Sequence, residues 1–127
     1  MEKISVKIDL GKYKYVDLSL DKAIEFIEKA IELHGPTQDL EETLRYLRNF
    51  DEFYRYMKKK FKDFITPPKS SKELVEGRVF IHRLKLYMDG VSKRVLLVID
   101  RRVGSDVVKQ VLSMIGYTEG VFEKEPF

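Results

Sequence analysis

The stretch RVFIHRLKLYMDGVSKRVLLVID, residues 78–100, restricts the possible folds more than any other part of the chain. Apolar and polar residues alternate up to Asp89-Gly90, a dipeptide suited to the two-residue turns of β-hairpins, so an antiparallel strand pair has to be part of the fold. On the first strand Phe80, His82, Leu84, Leu86 and Met88 fall on one side, and Arg83, Lys85 and Tyr87 on the other with Val79 and Ile81. The second strand, Val95 to Ile99, is apolar throughout, which predicts a central strand covered on both faces for part of its length.

Around this hairpin the remaining elements follow from local signals. ISVKIDLGKYKYVDLS reads as two short strands around Gly11, with Ile4, Val6 and Ile8 opposite Ser5, Lys7 and Asp9. SLDKAIEFIEKAIELHGP places Ala23, Ile24, Ile27, Ala30 and Ile31 at helical spacing between a Ser19 cap and a Gly35 stop. Thr37 or Asp39 can cap a second helix with a Leu40, Leu44, Leu47 stripe, and Asp51 a third that runs on toward Pro67-Pro68. In that third helix Phe53, Met57, Phe61 and Phe64 form one expected buried face. Tyr54, Lys58 and Lys62 line up beside it, and Arg55 with Lys59 on the next row. TPPKSSKELVEG reads as a loop, Ser105 as the cap of a last helix, and the apolar tail as an edge strand or intersubunit contact. The expected fold is a single α+β domain spanning residues 1–127, helices packed against a small antiparallel sheet in the order ββαααββα.

Cysteine is absent, which excludes disulfides, thiolate metal sites and cysteine nucleophiles. The first ten residues mix charges with apolar side chains, so neither a signal peptide nor a membrane span is expected, and the reading is a cytoplasmic protein. Charged residues make up 35% of the chain while Asn occurs once and Gln twice, a balance expected of a heat-adapted, thermophile source.

The net charge of +3 conceals a sorting along the chain: residues 1–54 hold 8 basic and 12 acidic side chains, net −4, and residues 55–127 hold 16 and 9, net +7. Residues 55–72 carry seven Lys or Arg against one Asp, and residues 78–102 seven against two. Brought together by the fold, these two blocks would form one positive face for phosphate polyanions or acidic surfaces.

Signals for catalysis are weak. His34 fits a helix C-terminus and His82 a sheet position, with no ligand spacing for a metal around either. Ser105, His82 and Asp100 could be drawn as a triad, but no serine stands in a nucleophile elbow. Neither GKYKYVD nor RVGSD matches a nucleotide loop. A magnesium-dependent nuclease built on Asp89, Asp100 and Asp106 is the remaining enzymatic alternative, although a turn explains Asp89 and a helix start explains Asp106. The favoured reading is non-enzymatic, with no cofactor and no metal.

A single-strand binder needs a cationic track for the backbone and rings on which bases stack, and DEFYRYMKKKFKDFITPPK interleaves the two. The expected phosphate contacts are Arg55, Lys58, Lys59, Lys62, Arg83, Lys85, Arg101 and Arg102; the expected stacking rings are Tyr54 and Tyr87. Engagement of about six phosphates would give a log-log salt slope near −4. Lysine-rich helix faces are often only solvated, but between residues 55 and 72 only Asp63 offers a carboxylate, at i, i+4 from Lys59. The rival class is a protein-interaction or oligomeric adaptor subunit whose basic side docks on an acidic partner.

FYRYMKKKFKDF together with RVFIHRLKLYMDG and RVLLVIDRR, in this order of elements, resembles the nucleic-acid-binding domain of the non-classical archaeal single-stranded DNA-binding proteins called ThermoDBP and their shorter relatives. The resemblance implies a cleft with an apolar floor and basic rim that takes single strands, probed first as DNA, and assembly into homo-oligomers.

Overall fold

The computed structural model describes residues 14–117 in full and the backbone of residues 4–8 and 122–125. The elements are β1 (Ile4–Ile8), β2 (Lys14–Ser19), α1 (Leu20–His34), α2 (Gln38–Arg48), α3 (Phe50–Lys59), α4 (Ser71–Glu76), β3 (Ile81–Asp89), β4 (Ser92–Ile99), α5 (Ser105–Met114) and β5 (Phe122–Glu125). The fold is α+β, as the hydrophobic pattern predicts. One sheet runs in the order β3-β4-β2-β1-β5, antiparallel except where β5 joins β1 in parallel. The tail therefore adds an edge strand; Gly11, Val121 and Phe127, and the side chains of β1 and Phe122, lie outside the described residues.

β4 is covered as its composition predicts. Val95, Leu97 and Ile99 face a core shared with Val16 and Leu18 of β2, Leu84 and Leu86 of β3, and residues of α1, α2 and α5. Val98, which points the other way, is also fully buried. α1 begins where the Ser19 hydroxyl accepts from the Lys22 N–H at 3.3 Å, and ends at Gly35, whose φ of 95° a Cβ would oppose. Its buried stripe is Ala23, Phe26, Ile27 and Ala30, with Ile24 and Ile31 packed at the margin.

Several local expectations give way. Asp51 lies inside the first turn of α3, whose N-cap is Asn49. Gly104, not Ser105, is the N-cap of α5. Thr37 caps α2 by position only, because its hydroxyl is spent on Asp39. The supposed loop after Pro68 contains α4, capped by Ser70, which accepts from the Glu73 N–H at 3.1 Å. α3 stops at Lys59, well short of Pro67, so Phe61 leaves the helical face and stands 97% exposed. Phe64 also leaves that face; its ring lies under the Arg83 guanidinium at 4.1 Å. A register shift between Ile81 and Arg83 breaks the alternation of β3. Ile81 is thereby buried and His82 leaves the side occupied by Leu84.

Asp39 is fully buried and fixes the helices to the sheet. One carboxylate oxygen accepts from the Thr37 hydroxyl and from the Leu40 N–H; the other accepts from Phe80 N–H at 2.5 Å and Ile81 N–H at 2.7 Å. Four donors on two elements thus converge on one anion, each charge-assisted. Asp39→Ala would leave them buried without an acceptor, and urea unfolding is expected to show a loss of about 3 kcal/mol or more. A loss below about 0.5 kcal/mol would mean that the contact across to β3 carries no stability.

Candidate nucleic-acid interface

α3 and β3 run beside each other at the free edge of the sheet, and a cleft of about 340 Å³ opens between them. It is lined by the apolar Met57, Leu86 and Met88, by Tyr54 and Tyr87, and by Lys58, Lys62 and Lys85, with Asp63 the single carboxylate; Lys85 and Tyr87 border it from the other side of β3, where the Tyr87 hydroxyl reaches Asp17 of β2. Five of the expected site residues, Tyr54, Lys58, Lys62, Lys85 and Tyr87, are therefore brought together from positions remote in sequence.

The cleft is distinguished by what its cations do not touch. In the half of the chain before residue 55 the charges largely neutralise one another: Lys22 with Glu25 at 3.1 Å, Lys29 with Glu32 at 3.0 Å, Arg45 with Glu42 at 2.7 Å, Arg48 with Glu28 at 3.0 Å. Lys93 and Arg94 likewise meet Asp51 and Asp17 at 2.9 and 3.1 Å. Among the described residues Lys58, Lys59, Lys62 and Lys85 have no ion-pair partner. The Asp63 carboxylate expected beside Lys59 is lost to it because the helix ends between them.

Both tyrosines are half-buried. Tyr54 stacks on Phe50 with ring centroids 5.6 Å apart and planes 10° from parallel, and the Lys58 ammonium lies over its ring at 5.7 Å, so the ring borders the cleft with a cation already against it. Tyr87 donates its hydroxyl to the Asp17 carboxylate, which Arg94 also holds. Burial first, and then that hydrogen bond, raise the Tyr87 pKa above its ordinary value, keeping the ring neutral.

The outer edge of β3 is only partly paired. Leu84 spends its outward N–H and C=O on Ile65, at 2.9 and 2.8 Å. Alternation along β3 aims the N–H and C=O of Leu86 and Met88 to the same side, toward the cleft. Among the described residues neither pair has a partner. Sequence alternation placed Leu86 and Met88 on one side of the strand with Phe80, His82 and Leu84 and gave no sign of an open edge, which depends on Ile65 reaching no further than Leu84.

The other expected site residues lie elsewhere. Arg55 borders a separate hollow with Arg48, Asp51, Glu52 and Lys93. Lys59 is exposed on α3 beyond the cleft lining. Arg83 is half-buried over Phe64, with its Nε enclosed and unpartnered. Arg101 and Arg102 border a hollow of about 180 Å³ with His82 and Asp100, where Asp100 accepts from the Arg102 N–H at 2.9 Å. Lys69, half-buried, donates to the Pro67 and His82 carbonyls at 3.2 and 3.4 Å, and burial lowers its pKa. Asp89, Asp100 and Asp106 are not gathered: among the described residues no group of three or more His, Asp or Glu could hold a metal ion. No helix among them is long and apolar enough to cross a membrane. Compared with known proteins, the chain matches no family model, no curated protein and no solved structure.

His82 yields a pH prediction. Burial first, then Arg83 and Lys69, lower its pKa below the ordinary 6.5, with Asp100 partly opposing them. The unfolded chain then takes up the proton more readily than the folded one, so stability is intact above pH 6.5 and is lost as acid brings the pH down toward the lower folded value. Urea midpoints at about pH 5 and about pH 7.5 are expected to differ less in His82→Gln than in the parent. An identical difference would contradict this.

Proposed function

We propose that the protein binds single-stranded nucleic acid without strong sequence preference, in the cleft between α3 and β3. The observation that supports this reading is that Lys58, Lys62 and Lys85, none of them with an ion-pair partner among the described residues, line one cleft with Tyr54, Tyr87 and the apolar Met57, Leu86 and Met88. A polyanion with flat apolar bases fits such a lining: phosphates meet the lysines, bases meet the rings and methionines, and the open amides of β3 offer hydrogen bonds to base edges. Duplex hides its base faces and has no use for the apolar lining. Lys59 adds charge on the approach. Arg55, Arg83, Arg101 and Arg102 fall outside the contact set, so the number of phosphates engaged drops to about four and the expected log-log salt slope to about −3.

Fluorescence anisotropy with a labelled single strand across salt concentrations tests this. Lys58→Gln, Lys62→Gln and Lys85→Gln combined are expected to weaken all sequences alike, by about tenfold or more, and to flatten the slope toward about −1, while Arg55→Gln changes little. Salt-independent binding, or equal loss in Arg55→Gln, would contradict the assignment.

The open edge of β3 favours a second reading, an extended acidic peptide pairing with Leu86 and Met88 as an added strand. A labelled acidic peptide that binds where no nucleic acid does would transfer the cleft to that partner class.

A further inference from the structure

We propose that Phe61 is a base-stacking platform beside the cleft, an inference that rests on the single-strand reading above. α3 ends with Phe61 N–H donating to the Lys58 carbonyl at 3.2 Å and Lys62 N–H to the Met57 carbonyl at 3.0 Å. This is the terminating pattern in which the residue past the cap turns left-handed, and glycine is its usual occupant. Phe61 holds the position with φ 56°, alone among the described non-glycine residues in having positive φ. Its ring is 97% exposed.

Two costs therefore coincide at one residue. A side chain with a Cβ in the left-handed region costs roughly 1 kcal/mol or more, and an apolar ring held in water gains nothing from burial. Packing does not offset either, since Phe61 has no place in the core cluster. A glycine would close the same turn without strain, so the fold itself has no need of a ring here.

Its surroundings define what the ring can meet. Lys60 and Lys62 flank it in sequence, Lys62 and Asp63 border the cleft, and Lys58 and Lys59 stand in the preceding turn. Docking into an apolar protein groove would desolvate these ammonium groups without partners, a heavy cost. A ligand that alternates flat apolar faces with anionic groups every few ångström meets both the ring and the lysines. A nucleotide chain has that alternation, and each base stacked on a protein ring adds about 1–3 kcal/mol.

The test compares Phe61→Gly and Phe61→Trp with the parent, measuring single-strand affinity, its salt slope and the urea midpoint. Phe61→Gly is expected to lose about tenfold in affinity with an unchanged salt slope, because a stack is lost and no phosphate contact is. Its urea midpoint is expected to hold or rise as the left-handed strain is relieved. Phe61→Trp keeps parental affinity. Unchanged affinity in Phe61→Gly, with the parent still binding, overturns the role of the ring and leaves the single-strand reading intact. A fall of affinity and stability together in Phe61→Gly makes the ring structural and also overturns it. A parent that binds no single strand at any salt overturns both.

Discussion

The buried Asp39 carboxylate joins the first turn of α2 to the backbone entering β3 through the Phe80 and Ile81 N–H groups. The two elements that border the cleft follow directly from that junction, α3 after α2 and β3 from Ile81. β3 is an edge strand, held laterally by β4 alone except where Ile65 pairs with Leu84. α3 follows α2 across Asn49 with no side-chain cap of its own. An anion that places the start of α2 against the start of β3 therefore sets the distance between those two elements. Glu73 reinforces the same corner: it accepts from the Gln38 N–H at 2.9 Å and so ties α4 to the unsatisfied N-terminus of α2.

Charge pairing explains why one face is left positive. The carboxylates that neutralise Lys22, Lys29, Arg45, Arg48, Lys93 and Arg94 all come from residues 17 to 51, so the acidic half of the chain spends itself on nearby cations. Between residues 55 and 72 Asp63 is the one acid. Lys58 and Lys59 have one structural reason to be where they are, since cations in the last turn of a helix complement its dipole. Lys85, in mid-strand, and Lys62, beyond the helix, have no such reason. Their arrival at the same cleft as Tyr54 and Tyr87 is what supports the proposal of a binding surface there.

Much of this was legible in the sequence, and the failures have physical causes. α1 was readable because Ser19 and Gly35 act locally, and the β3–β4 hairpin because Asp89-Gly90 and the apolar run of β4 act locally too. The period of Phe53, Met57, Phe61 and Phe64 extended α3 too far: a helical spacing of apolar residues cannot reveal that Phe61 adopts a conformation ordinarily left to glycine. The Ser70-x-x-Glu73 spacing was the available sign of α4, overlooked beside Pro67 and Pro68. At the site, Tyr54 and Lys58 lie on a helical row, and Lys85 and Tyr87 on one strand side, that the sequence had aligned, whereas Lys62 arrives from beyond the end of α3. The register shift at His82 and the place of Arg101 and Arg102 in another hollow are tertiary outcomes that no local pattern encodes.

Nuclear magnetic resonance of the ¹⁵N-labelled protein, titrated with a short single-stranded oligonucleotide, tests the central claim most directly. Amide shifts are predicted to cluster at Tyr54, Met57, Lys58, Lys62 and along Lys85 to Met88, with Arg101, Arg102 and the hollow around Arg55 undisturbed. Shifts concentrated at those latter positions, or a spectrum unchanged at saturating oligonucleotide, would contradict it.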